Sequence, residues 1–174
     1  MALGQFAFAN NTNRFGACAP LADQPFAICG VPYDGVVTNR PGARFGPQAI
    51  RAASLMLCDG IHPVFDVSPL DLLGDALDMR LPNASPLPEV RAHIERQAAE
   101  LMAQHHCVFI GGDHSVTLSL LRAAKARHGE ALACVHFDAH CDTWSDHFGE
   151  PSGHGTWTYE AIKEGLISAE HTVQ

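Results

Sequence analysis

Three short apolar runs, residues 25–34 (PFAICGVPYD), 106–113 (HCVFIGGD) and 131–140 (ALACVHFDAH), are separated by segments with helical periodicity. Runs of this length that end in Pro, Gly or Asp read as buried strands. Helices between them exclude hairpins, so the strands pair in parallel through right-handed crossovers, with helices on both faces. The pattern predicts an α/β fold of three layers, α/β/α, around a mainly parallel sheet. In 47–57, Ile50, Ala53, Ser54 and Leu57 are expected to share one buried face, with Pro47 in the first turn. In 85–104, Ser85 is the expected N-cap and Val90, Ile94, Ala98 and Leu101 the apolar stripe. A helix over 115–129 should stop near Gly129, and 156–166 forms a last short one. Residues 69–78 read as a weaker strand, and HTVQ (171–174) as a strand cut off at its start.

The chain has 174 residues, enough for one domain over 1–174. A formal net charge of -8 argues against nucleic acid and anionic membrane surfaces, which need clustered Lys and Arg. The first twenty residues have no basic start and no sustained apolar core, so no signal peptide is expected. No stretch approaches a membrane span. The six cysteines (18, 29, 58, 107, 134, 141) contain no C-x-x-C pair and mostly lie in apolar runs, as reduced thiols of a cytoplasmic protein would.

In open parallel sheets the ligand crevice lies beyond the carboxyl ends of the strands. GGDHS (111–115) and DAHCD (138–142) fall there. Strand alternation would bring Asp138, His140 and Asp142 to one side and turn Ala139 and Cys141 away. Gly111 and Gly112 remove bulk beside His114. Two carboxylates and two imidazoles without paired thiolates suit Mn(II), Zn or Fe, and a carboxylate able to bridge points to a dinuclear centre. The neighbours admit two readings. Asp113 either orients ligands or backbone, or is simply a helix N-terminal acid. His136 is read as a hydrogen-bonded core histidine rather than a fifth ligand, and Cys141 as packing. His105, His106 and His128 are expected in solvent. Arg44 either faces the site or holds the loop.

GVPYDGVVTNRPGARFGPQAIR, GGDHS, VHFDAHCDT and HGTWTYEAIKEGLI together resemble the ureohydrolases, the family of arginase, agmatinase and guanidinobutyrase, along almost the entire chain. The resemblance implies a two-manganese centre with His114, Asp138, His140 and Asp142 among its ligands. Asp142 and His154 then have catalytic parts, His154 as proton shuttle beside the substrate. Water attacks a resonance-stabilised guanidinium slowly, and two divalent ions supply the acidified water this requires. The leaving amine must be protonated, a role suited to a histidine near neutrality.

The loop 143–155 has Asp146 and Glu150 and no Asn, which looks more like agmatinase, acting on a substrate with a distal ammonium, than like an arginine-specific member. Agmatine would give putrescine and urea; guanidinobutyrase is the competing reading. The family's second acidic motif, S-F-D-x-D-x-x-D-P, has no counterpart here, since the chain contains no D-x-D. The resemblance therefore implies an incomplete domain with little activity by itself, or a non-catalytic remnant, of a protein that is a homo-oligomer when complete. The family's strand order, 2-1-3-8-7-4-5-6, further implies a gap between the segments bearing GGDHS and DAHCD.

Overall fold

The computed structural model describes residues 13–57 and 60–174. The first twelve residues, which carry most of the signal-peptide question, and Cys58 lie outside them. In chain order the elements are β1 (Ala19–Pro20), β2 (Phe26–Val31), α1 (Gly46–Ser54), β3 (Leu73–Asp78), α2 (Leu87–Met102), β4 (His106–Gly111), α3 (Val116–His128), β5 (Leu132–Val135), α4 (Trp157–Lys163) and β6 (Ile167–Val173).

All strand pairs are parallel, as the interleaved helices require. They form a four-stranded sheet, β1-β3-β2-β4, and a two-stranded sheet, β5-β6. Among the described residues β4 and β5 do not pair, so the orders β3-β2-β4 and β5-β6 correspond to 2-1-3 and 4-5 of the expected arrangement, with the gap where it was expected. Val108 on β4 and Val135 on β5, the strands that flank the gap, have exposed side chains.

The helix α3 ties the two sheets together. Its Val116 belongs to a core of Cys29, Val31, Met79, Val90, Ile94 and Ala98, which joins β2 to α2. Its Leu118 belongs to a second core with Trp157, Ala161, Leu166 and Ile167. Each fully buried aliphatic side chain contributes roughly 1.5–3 kcal/mol. The helix ends at Gly129, whose φ of 81° places it in the left-handed region, with its N–H on the Lys125 carbonyl.

Four sequence expectations need correction. The buried face of α1 carries Pro47, Arg51 and Ser54, while Ile50 and Leu57 are exposed. Arg51 is buried because its guanidinium is forked onto Asp75 (Nε to Oδ2 2.8 Å, Nη2 to Oδ1 2.9 Å) and also paired with Asp78. Ser85 does not cap α2, because Pro86 stands between it and the first helical residue. His105 is buried, its Nδ1–H donating to the Gln24 carbonyl at 2.7 Å. Finally, β5 stops at Val135 and not near residue 140. His136 N–H makes a last bond to the Val173 carbonyl, and β6 offers no partner beyond it.

Candidate active site

The GGDHS turn leaves β4 and enters α3. At Gly112 a Cβ would lie 2.1 Å from the Tyr33 carbonyl oxygen, so only glycine lets the turn press against the segment after β2. Asp113 N–H donates to that same carbonyl at 2.7 Å. The Asp113 carboxylate accepts from Ser115 N–H (2.9 Å), from Ser115 Oγ–H and from Val36 N–H (3.2 Å). Both readings of Asp113 are thus realised: it serves the start of α3 and it holds a neighbouring loop. Burial pushes its carboxyl above the ordinary range, with the bonds from Ser115 and Val36 opposing.

Beside this turn the structure gathers His114, His136, Asp138 and Asp142, one donor atom of each lying within 4.8 Å of the others. His114 Nδ1 is 2.8 Å from Asp142 Oδ2 and 3.3 Å from Asp138 Oδ2. Strand alternation does not produce this convergence, since 138–142 is loop; the turn places the acids instead. Asp138 folds back on its own chain, accepting His140 N–H at 2.8 Å. Asp142 sits at φ 51°, a left-handed conformation that Asp tolerates better than most residues. Its carbonyl accepts Thr158 N–H (3.1 Å) and its Oδ2 accepts Trp157 Nε1–H (2.7 Å). No local sequence signal marks Trp157 for this role; the contact spans fifteen residues and shows only in three dimensions.

His140 lies outside the four-residue group. Its ring is 80% exposed, with Nδ1 3.2 Å from the other oxygen of Asp138, Oδ1. His136 is buried, and its tautomer follows from its partners. The Gln174 Nε2 amide lies 2.8 Å from the Cys141 carbonyl, which can only accept, and 2.9 Å from His136 Nδ1. Gln174 therefore donates to Nδ1, and the ring proton is on Nε2, 3.5 Å from Asp138 Oδ2. Burial holds the His114 imidazole below its ordinary value, with Asp142 and Asp138 opposing, which favours the neutral form that binds metals. The His140 backbone bond leads the effects that lower the Asp138 carboxyl.

His154 stands on a turn before α4. Gly153 N–H donates to Thr156 Oγ1 (2.9 Å), and Ser152 Oγ–H to Glu160 Oε1 (2.6 Å). Arg91 of α2 reaches the same turn through Ser152 Oγ (2.6 Å). The His154 ring contacts the Val36 carbonyl through Nδ1 at 2.9 Å. A carbonyl only accepts, so Nδ1 carries the proton and Nε2 is the basic nitrogen. A cleft of about 450 Å³ is lined by Thr38, His140, Asp142, Trp144 and His154. Asp146 and Glu150 are not in its lining; Asp146 accepts Gly149 N–H (2.9 Å) and Glu150 bridges to His147. Arg44 pairs with the buried Asp34, a hold on its own loop. Cys141 is exposed and lines the cleft rather than packing in a core.

A family profile described as the Arginase family matches residues 24–174. The chain belongs to that family. An agmatinase of Chromobacterium violaceum is 42% identical over 154 residues, covering 85% of this chain and 47% of the relative. An agmatinase of Neisseria meningitidis is 40% identical, covering 94% of this chain and 55% of the relative. Proclavaminate amidinohydrolase of Streptomyces clavuligerus superposes with a TM-score of 0.84 at 34% identity, covering 96% of this chain and 56% of that one. A hypothetical agmatinase from Burkholderia thailandensis gives 0.85 at 34% identity, with 96% and 54% covered. The chain thus spans about half the length of the curated relatives it matches. No helix among the described residues is long and apolar enough to cross a membrane.

Proposed function

We propose that this chain is part of a metal-dependent amidinohydrolase that converts agmatine to putrescine and urea. The observation that carries the reading is Asp138, whose Oδ2 faces His114 at 3.3 Å while its Oδ1 faces His140 at 3.2 Å. A carboxylate whose two oxygens address two imidazoles is suited to lie between two divalent ions. His114, Asp138 and Asp142 would hold one ion, and Asp138 with His140 the other; oxygen and imidazole donors suit Mn(II). When bound, such ions lower the pKa of coordinated water toward neutrality.

The chain's own residues do the remaining work. Trp157 Nε1–H holds Asp142, and His136 Nε2–H faces Asp138. His154, fixed through Nδ1, exchanges a proton at Nε2 and gives it to the leaving amine. Agmatine as substrate is supported by the relatives of that name. Unpaired thiols at Cys18 and Cys29 fit a reducing, cytoplasmic setting.

The test is urea release from agmatine, 4-guanidinobutyrate and arginine at matched concentration. The enzyme is the Mn(II)-loaded chain completed with the carboxyl-terminal half of an agmatinase relative. Agmatine should be preferred; preference for 4-guanidinobutyrate would replace the substrate, and no urea from any of the three would overturn the reading. The 174-residue chain alone should release no urea above a His140→Ala control. The further acidic ligands implied by the resemblance have no counterpart in it, and looser ligands lose on the order of a hundredfold in rate per ångström.

A further inference from the structure

The loop from Gly35 to Gly42 carries Val36, and Val36 meets two functional segments at once. Its N–H donates to Asp113 Oδ2 at 3.2 Å and its C=O accepts from His154 Nδ1–H at 2.9 Å. The far end of the loop is held separately: buried Asp34 accepts Gly42 N–H (2.5 Å) and Arg44 N–H (3.2 Å). Asp113 is itself fixed by Ser115 and by its own N–H on Tyr33. From the geometry we infer that Asp113 is a positioning residue for His154, acting through the backbone on either side of Val36. Val36 N–H and Val36 C=O belong to successive peptide units that share the Val36 Cα; holding the first, with the loop tied again at Gly42, restricts where the second can point. That carbonyl fixes the His154 tautomer with the proton on Nδ1 and keeps Nε2 as the nitrogen that exchanges protons with the cleft. The functional meaning rests on the proposed role of His154, whereas the relay itself does not.

Asp113→Asn separates the relay from the fold. Two donors, Ser115 N–H and Oγ–H, converge on Oδ1, so the single remaining oxygen stays with Ser115. The new NH2 group then faces Val36 N–H, and two donors cannot bond. The experiment is nitrogen-15 NMR of the histidine rings in the metal-free chain, with amide exchange at Val36. His105, whose Nδ1–H donates to the Gln24 carbonyl far from this loop, is the internal control. In Asp113→Asn, His154 should lose its Nδ1–H signature and Val36 its exchange protection, while His105 keeps the wild-type pattern. Retention of the Nδ1–H signature by His154 would overturn the inference, whether or not Val36 loses its protection. Should His105 also change, the variant has unfolded and the wild-type chain decides. A scalar coupling across the hydrogen bond between His154 Nδ1 and the Val36 carbonyl carbon, with a protected Val36 amide, supports the relay; absence of either overturns it. Neither measurement reads activity, so failure of the relay and failure of the amidinohydrolase reading are distinguishable.

Discussion

Trp157 Nε1–H donates to Asp142 Oδ2 at 2.7 Å, on the same oxygen that lies 2.8 Å from His114 Nδ1. The buried indole thereby orients a carboxylate that a metal would share with His114. Removing such a supporting partner typically lowers metal affinity about 10–100-fold. Trp157→Phe should lower Mn(II) affinity by that order, measured by calorimetric titration. Loss of packing is controlled by Leu118→Ala, in the same core, which should lower stability and leave Mn(II) affinity close to wild type. Equal affinity in Trp157→Phe and wild type would remove the orienting role.

The two sides of Asp138 are unequal. On the Oδ2 side stand His114, Asp142 and the buried His136, whereas among the described residues the Oδ1 side faces the exposed His140. We expect the 174-residue chain to bind one Mn(II) more tightly than a second. His114→Ala should lose the tighter ion and His140→Ala only the weaker one, counted by electron paramagnetic resonance at rising Mn(II). Retention equal to wild type in both variants would count against the ligand assignment.

Much of this was legible from the chain. Parallel strands and the stop at Gly129 follow from periodicity and turn chemistry, because those signals are local. The stripe Val90, Ile94 and Ala98 is buried as its spacing implies, and His114, Asp138 and Asp142 meet beyond the strand ends. What misled was non-local. Periodicity puts Ile50 inside and gives no sign of Arg51, because hydrophobicity alone does not reveal that Asp75 and Asp78, more than twenty residues on, await a guanidinium. The strand through residue 140 failed because a strand persists only while a neighbour supplies its ladder, and that neighbour is not encoded within the run itself.

Arg51 is fully buried, and so is the carboxylate of Asp75 it grips, with Asp78 nearly so. Removing one partner leaves uncompensated buried charge, which costs about 3–5 kcal/mol. Arg51→Met should therefore lower unfolding free energy by that amount in urea titrations, although the apolar replacement is of similar reach. Adding Asp78→Asn should recover part of the loss. A change below about 1 kcal/mol in the single variant would show that water reaches the acids.

His114 offers a pH test whose sign is set by burial. Its folded pKa lies below the ordinary value of about 6.5, because desolvation outweighs the pull of Asp142 and Asp138. Between the folded value and about 6.5 the unfolded chain binds a proton that the folded chain refuses. Stability contributed by His114 is therefore complete above about 6.5 and falls as pH drops through that window. In the metal-free chain, unfolding free energy compared between wild type and His114→Gln should show this difference shrinking on acidification. The His114 ring should titrate by NMR below its ordinary value. Asp142→Asn removes an opposing charge and should lower that midpoint further; a wild-type midpoint at or above the ordinary value would mean that burial is not the leading cause.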